Sequence, residues 1–205
     1  MSVDKSHLTA FPPRPYQEVR AMVKDGDILL CSATDPMSRI IQWATRSPWS
    51  HVAIAFRMEE LDRVLVLEAV ERIGVRCIPL STFVSRTSGG VTPYPGQILL
   101  ARHAALDVEA LANPIARMSG FAFDRLGAPF SPAEIMRIGL RILMGRLGRN
   151  MPRTLTPKNE YICSEYVAGC FQSLDLNFPW DGMGFLAPAN IAAHDDVQPV
   201  AQVAT

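Results

Sequence analysis

The sequence has little of what marks several specialised protein classes. Its 205 residues include twenty basic and twenty acidic side chains, so it lacks the basic surplus typical of nucleic-acid-binding proteins. No stretch reaches the roughly 18 apolar residues that a membrane-spanning helix needs. Residues 1–16 lack the apolar segment of a signal peptide. We therefore expect a cytoplasmic protein that does not bind nucleic acid.

Cysteine and histidine are also scarce, with four of each in the chain. No two cysteines form a C-x-x-C pair and no H-x-x-E-H sequence occurs, so the common zinc motifs are missing. There is no glycine-rich phosphate loop and no dinucleotide-binding fingerprint. The sequence therefore predicts neither a metal nor another cofactor, and it predicts that the cysteines are free thiols.

What is present is a globular composition, with 48% hydrophobic residues and a mean hydropathy of +0.11. The first half contains closely spaced apolar segments that predict strands, and short spacing favours antiparallel pairing. The second half has mostly helical patterns, and strands followed by helices indicate an α+β fold with an antiparallel sheet packed against helices. The strands are expected at residues 28–32, 51–56, 64–70, 74–80 and 97–103. The helices are expected at residues 16–24, 35–46, 106–121, 131–148 and 160–174, with a short one near Asn190. Pro114 could kink or split the helix at 106–121.

The chain divides into three parts on this pattern. Residues 1–23 are interpreted as an arm with a short helix, residues 24–192 as one catalytic domain, and residues 193–205 as a tail. The oligomeric state has no signature in the sequence.

Two residues in the predicted strands, His51 and Glu68, have side chains that could take part in catalysis. His51 opens an apolar strand after a turn, where a side chain can face a cleft, although a hydrogen-bonded structural histidine is the alternative. His103, in contrast, ends a strand and is expected to be exposed. Glu68 is a lone carboxylate in an apolar strand, so it needs solvent or a partner. If the strands at 51–56 and 64–70 form a hairpin, Glu68 could orient His51 and stabilise its charged form.

Among the cysteines, position singles out one. Cys163 lies at the predicted start of a helix, where first-turn amides and the helix dipole favour a thiolate and can bind an oxyanion. Cys31, Cys77 and Cys170 lie in apolar contexts typical of packing residues. A structural role for Cys163 is the alternative, but together with His51 and Glu68 it suggests a Cys-His-carboxylate site.

Four segments occur in an order that resembles a known family. They are residues 26–29 (GDIL), 50–54 (SHVAI), 67–69 (LEA) and 161–167 (YICSEYV), and residues 126–130 (LGAPF) are similar to its Gly-x-Pro-aromatic segment. Together they resemble the permuted papain-like amidases, the YaeF/YiiX-like branch of the NlpC-related cysteine hydrolases. The resemblance covers residues 24–192 and implies a circularly permuted papain-like fold, in which the histidine precedes the cysteine.

The resemblance implies roles for particular residues. Cys163 would be the nucleophile, His51 the general base and then acid, and Glu68 the group that orients His51. Asp27 would line the pocket or have a structural role, and Tyr161 could project into the same cleft. The implied reaction is amide hydrolysis through a thioester, on a peptide, isopeptide-like or cell-wall peptide bond.

Two other functions stay open at this point. Lecithin:retinol acyltransferase-like relatives share the order of histidine before cysteine, so a lipid or thioester acyl hydrolase or acyltransferase is one alternative. A basic amphipathic helix at residues 135–148 could contact a membrane surface, or it could simply pack on the core. A non-catalytic binding module on the same fold is the other alternative.

The zero net charge hides an uneven distribution. Residues 135–159 contain six basic side chains and no acid, whereas residues 161–205 contain five acids and no lysine or arginine. If the basic segment lines the cleft, it would favour an anionic substrate.

Overall fold

The computed structural model describes residues 11–85, 92–107, 113–130, 161–179 and 186–205. The helix predicted at 131–148, with its suggested membrane contact, and the basic segment at 135–159 lie outside the described residues. None of the helices within the described ranges combines the length and the apolar character that crossing a membrane requires.

The described part of the chain is built on a seven-stranded sheet with the order β1-β7-β6-β2-β3-β4-β5. Every neighbouring pair is antiparallel except β1 and β7, which are parallel. The strands are β1 (Pro13–Arg14), β2 (Asp27–Ala33), β3 (His51–Met58), β4 (Arg63–Val70), β5 (Gly74–Pro79), β6 (Gly96–His103) and β7 (Val197–Val203).

Six α-helices flank this sheet in the described ranges, with single 3-10 turns at Glu59–Leu61 and Ala104–Asp107. They are α1 (Tyr16–Met22), α2 (Pro36–Thr45), α3 (Leu80–Ser85), α4 (Pro114–Phe123), α5 (Cys163–Gln172) and α6 (Pro188–Ala192). The α+β architecture and the antiparallel sheet expected from the sequence are therefore confirmed.

The central strands are covered on both faces, which explains why they read as continuous apolar runs. Ile28 and Leu30 of β2 face a core shared with α4 and α5, whereas Leu29 and Cys31 face a second core shared with α1 and α3. A strand with both faces buried needs apolar residues at successive positions, not at alternate ones.

Several expected boundaries differ in the structure. The helix expected over 106–121 begins at Pro114, because proline is favoured in the first turn and disrupts a helix interior. The residues interpreted as a C-terminal tail contribute β7, which lies between β6 and β1. The expected exposure of His103 is wrong, because its side chain lies against Phe171 and Phe178 and is only 3% exposed.

Candidate active site

His51 and Glu68 meet because β3 and β4 pair with a fixed register. Ile54 is opposite Leu67, so His51 and Glu68 lie on the same face of neighbouring strands, at one end of the sheet. The His51 Nε2–H donates to the Glu68 Oε2 over 2.6 Å. The Glu68 side chain is only 3% exposed, so this hydrogen bond is largely shielded from water.

The start of β3 is held by the residue before His51. The Ser50 hydroxyl accepts a hydrogen bond from the Ala33 amide over 3.1 Å and donates to the Cys31 carbonyl over 3.3 Å. The Ser50 amide also donates to the Cys31 carbonyl, at 2.9 Å. These bonds tie the strand entry to β2 and fix the backbone from which His51 projects.

Arg76 is a member of this group that the sequence analysis missed. It lies opposite Glu68 on β5, and its Nε and Nη2 groups donate to the Glu68 Oε1 over 2.9 and 2.6 Å. The two carboxylate oxygens of Glu68 are thus divided between His51 and Arg76. One sequence signal could have indicated Arg76. The strand with the lone carboxylate is followed by a strand with a lone cation, and such a cation is a natural partner for the carboxylate.

Cys163 comes from the other part of the chain, at the first residue of α5. The helix buries Tyr166 and Val167 in the same core as Leu67 and Ala69 of β4, so its start is held beside the sheet. The Cys163 thiol lies beside the His51 imidazole, and its charge acts on that ring. The structure thus brings together Cys163, His51 and Glu68, the three residues that the sequence analysis selected.

The segment before the nucleophile is anchored to β5. Gly74 has a φ of +87°, and a Cβ there would lie 2.2 Å from the Ala128 carbonyl oxygen, so the close approach requires glycine. The Val75 amide donates to that carbonyl over 2.8 Å. This contact positions Phe130, which forms a β-bridge with Tyr161 just before α5.

The charges of the three central groups stabilise one another. Burial alone would lower the pKa of His51, but the charge and hydrogen bond of Cys163, with those of Glu68, raise it to about 10. Burial alone would raise the pKa of Glu68, but His51 and Arg76 hold it below its usual range. The arrangement therefore favours a protonated imidazole beside an ionised carboxylate near neutral pH.

These groups open onto a cavity of about 480 Å³, within the range of small-molecule sites. His51, Glu68, Arg76 and Cys163 all line it. The remaining lining is mostly apolar, with two further carboxylates, and consists of Asp35, Met37, Ser38, Ile41, Ser50, Ala69, Val70, Glu71, Ile73, Ile78, Thr82, Phe83, Tyr94 and Phe130.

The structure does not bring Asp27 to this cavity. Asp27 pairs with Ala55, whereas Cys31 pairs with His51, so Asp27 lies four residues, or about 13 Å, along the strand from the His51 level. Its carboxylate accepts bonds of 2.7 and 2.8 Å from Arg102 and one from the Lys24 amide. Asp27 is fully buried in this ion pair and the Arg102 side chain is 17% exposed, an arrangement that would serve a structural role.

Tyr161 lies close in sequence to Cys163 but is not among the cavity residues. Its hydroxyl accepts a hydrogen bond of 2.8 Å from the Arg125 Nε, and its ring makes an edge contact with Tyr166. The hydroxyl is therefore directed to the end of α4 and away from the nucleophile.

One group of potential metal ligands occurs in the described residues, at the far end of β6. The ligand atoms of His103, His194 and Asp196 all lie within 4.8 Å of one another. Zinc holds nitrogen and oxygen ligands at about 2.0–2.2 Å, so these side chains would have to move closer to share an ion. The Nδ1 atoms of both histidines also accept backbone N–H groups, from Ala105 and Asp196.

A thiol at a helix start, beside a histidine that is hydrogen-bonded to a buried carboxylate, is the arrangement expected of a papain-like cysteine hydrolase. Residues 22–198 match the family described as permuted papain-like amidase enzyme, YaeF/YiiX, C92 family. The chain belongs to this family, which makes it a cysteine amidase or peptidase-like hydrolase. The suggested resemblance is confirmed, and the interpretation as a non-catalytic module is not supported.

A solved structure shares the fold. The crystal structure of metalloprotein YiiX from Escherichia coli O157:H7 aligns with a TM-score of 0.61 and 16% identity, over 87% of this chain and 96% of that one. At this identity the likeness establishes the fold alone. No curated protein sequence matches this chain.

Proposed function

We propose that the chain hydrolyses an amide bond through a thioester formed on Cys163, with His51 and Glu68 as its partners. The observation that carries this proposal is the row of Cys163, His51 and Glu68, in which Cys163 lies beside His51, His51 is hydrogen-bonded to Glu68, and all three open onto one cavity. The family supplies the reaction type, and the geometry supports the roles of these particular residues.

The reaction begins with the Cys163 thiolate, paired with the protonated His51. The sulfur attacks the carbonyl carbon of the substrate and the carbonyl becomes a tetrahedral oxyanion. His51 gives its proton to the amine nitrogen, the C–N bond breaks, and a thioester stays on Cys163. His51 then takes a proton from water, whose oxygen attacks the thioester and releases the acid and the thiolate.

The start of α5 is suited to bind the oxyanion. Ile162 at the N-cap has no side-chain oxygen that could cap the first-turn amides. Those amides are directed out of the helix start beside Cys163, and the positive end of the helix dipole lies there. We therefore assign the Cys163 backbone N–H a role in the oxyanion hole.

The first test is selective alkylation of the thiol. Iodoacetamide at pH 7, followed by mass spectrometry of the cysteine peptides, should modify Cys163 at least tenfold faster than Cys77. Cys77 is a suitable control because it is also partly buried, and burial raises the pKa of its thiol. Equal rates at the two positions would argue against an activated nucleophile.

The second test measures turnover. Cys163→Ala should abolish hydrolysis across a panel of peptide and isopeptide amides, whereas Cys77→Ala should keep it. If Cys163→Ala still turns over the substrate that the wild type cleaves best, Cys163 is not the nucleophile.

An acyl-lipid or thioester substrate is a second candidate, and the rim of the cavity favours it. Met37 of α2 and Ile73 of the β4–β5 turn line the cavity while remaining 42% and 57% exposed. Exposed apolar side chains at a cavity mouth are typical of sites for apolar groups.

A matched acyl series separates the two candidates. The same amine or thiol leaving group would be joined to acyl chains of increasing length. If the second candidate holds, kcat/KM should rise with chain length, and Ile73→Ser should reduce that rise. A flat series with strong dependence on peptide side chains would support the peptide amidase instead.

A further inference from the structure

Arg76 has no part in the reaction steps given above, yet it completes the row of charged groups behind the nucleophile. Its side chain is about one third exposed and lines the same cavity as Cys163. Its Nε and Nη2 groups bind one oxygen of Glu68, while His51 binds the other. Glu68 is thus held from both sides, on three neighbouring strands with a fixed register.

The first consequence of this arrangement concerns charge. A buried carboxylate is costly unless its charge is compensated. In the reactive state the row carries a thiolate, an imidazolium, a carboxylate and a guanidinium, so its charges sum to zero. Without Arg76 the same state would carry a net negative charge in a shielded site, and forming the thiolate would be less favourable.

The second consequence concerns orientation. A guanidinium binds a carboxylate through two N–H groups fixed in one plane, which restricts the rotation of the carboxylate. Glu68 in turn fixes the ring of His51, whose other partner is Cys163. A lysine at position 76 could supply the charge but not the two-pronged contact.

We propose that Arg76 is a positioning residue for the hydrolysis. It holds Glu68 ionised and correctly turned, so that His51 and Cys163 form the reactive ion pair at lower pH than they otherwise would. This inference rests on the proposed function. Apart from the row itself, the charged side chains that line the cavity in the described residues are Asp35 and Glu71, both acidic, and the only other ionisable one is the phenol of Tyr94, so none of them can replace the positive charge of Arg76.

The opposite end of the sheet supplies a matched control. Arg102 binds Asp27 through the same Nε and Nη2 groups, also in a buried setting. Loss of Arg102 therefore disrupts a comparable arginine–carboxylate pair without touching His51 or Cys163. If Arg76 had only a structural role, the two arginine variants should show the same pH profile of Cys163 alkylation.

The experiment follows iodoacetamide alkylation of Cys163 from pH 4 to pH 10, together with amide turnover. In Arg76→Met the acid limb of the alkylation profile should move up by about one pH unit, because removal of a positive charge disfavours thiolate formation. Arg76→Lys should keep the limb close to wild type but lower kcat about tenfold, because the two-pronged contact is lost. Arg102→Met should keep the wild-type profile, whatever its melting temperature.

Each outcome separates the two proposals. If the wild-type Cys163 is not activated, the proposed function fails. If it is activated, and folded Arg76→Met keeps the wild-type limb, the role of Arg76 is refuted and the proposed function stands. An equal shift in Arg102→Met would also refute it. Arg76→Gln, which keeps an N–H donor for Glu68 without the charge, replaces Arg76→Met if circular dichroism shows that the latter does not fold.

Discussion

The two ends of the sheet contain similar sets of residues, but the pKa values of the corresponding residues are shifted in opposite directions. At one end Glu68 contacts Arg76 and lies beside His51, and at the other Asp27 contacts Arg102, with His103 next to it in β6. The pKa of Glu68 is held below its usual range, whereas burial raises the pKa of Asp27. The pKa of His51 is raised, whereas burial and His194 lower the pKa of His103.

The cause of the difference is the set of partners. Glu68 has a cationic side chain hydrogen-bonded to each of its two oxygens, and His51 has both a thiol and a carboxylate. At Asp27 burial outweighs the charges of Arg102 and Lys24, so its pKa is raised, while His103 packs among aromatic rings and a second histidine. Residue type alone therefore does not identify a reactive end of the sheet, because the combination of charges around each group decides its ionisation.

The largest difference in turnover between the two ends of the sheet should appear when the carboxylate at each end is neutralised. Glu68→Gln should lower kcat/KM at least about 100-fold, because the group that orients His51 is lost. Asp27→Asn should keep turnover within about threefold but destabilise the fold by about 3 kcal/mol, since the charge of Arg102 loses its carboxylate partner. Turnover assays and urea unfolding would measure both effects. A loss of turnover in folded Asp27→Asn as large as that in Glu68→Gln would return Asp27 to the substrate site.

A pH profile tests the histidine at the reactive end. Hydrolysis needs a protonated His51 to release the amine, and its pKa is about 10. On the alkaline side, the kcat/KM of the wild type should therefore stay level until the pH approaches 10. Glu68 helps to raise that pKa, so the alkaline limb of Glu68→Gln should move to lower pH. An unchanged alkaline limb would mean that His51 is not the group that limits turnover at high pH.

A smaller effect is expected at Tyr161. Tyr161→Phe removes the hydroxyl that accepts a hydrogen bond from Arg125, which should cost about 1 kcal/mol of stability. Because this hydroxyl is directed away from the cavity, kcat/KM should change less than about threefold. A tenfold loss of turnover at unchanged stability would instead support the substrate role suggested by its position near Cys163.

At the end of the sheet that contains Asp27 and His103, we expect pH to affect stability and not turnover. His103 has a lowered pKa in the folded protein, so below about pH 6.5 the unfolded chain takes up protons that the folded His103 resists. Its contribution is therefore complete above that pH and is lost as the pH falls. His103→Phe, which keeps an aromatic ring, should show a smaller drop in melting temperature between pH 7 and pH 5. An identical drop would point to other titrating groups.

The smallest effect is expected from metal removal. The group formed by His103, His194 and Asp196 lies at the end of the sheet away from His51. Dialysis against EDTA should therefore leave Cys163 alkylation and amide turnover unchanged. Turnover that is lost on dialysis and restored by zinc would show that a metal ion acts at the catalytic end after all.

Much of the fold could be predicted because the strands carry strong local patterns. The main exception is β7, whose sequence VQPVAQV contains Pro199 and two glutamines. Proline has no N–H for a strand ladder, and the β6–β7 register shifts between Leu100 and Ala101, beside the partner of Pro199. β7 pairs irregularly with β6 on one side and with the two-residue strand β1 on the other. Neither partner can be inferred from the sequence of β7 itself.

The candidate site could be predicted only in part. A lone carboxylate in an apolar strand needs a partner, which points to Glu68, and the place of Cys163 at a helix start points to that thiol. Arg76 was missed because its importance depends on the β4–β5 register. The family motif leaves Asp27 either a pocket-lining or a structural role, and strand direction places it at the other end of the sheet from the cavity.

The sequence by itself determined the order of the elements, the family and the residue types able to do thiol chemistry, because these follow from local patterns and a distinctive set of motifs. Only the tertiary structure decided which charges become neighbours. Strand register set Arg76 against Glu68, the packing of α5 set Cys163 against His51, and strand length kept Asp27 apart. Ionisation depends on distances of a few ångströms between residues far apart in the chain, and such distances exist only once the chain is folded.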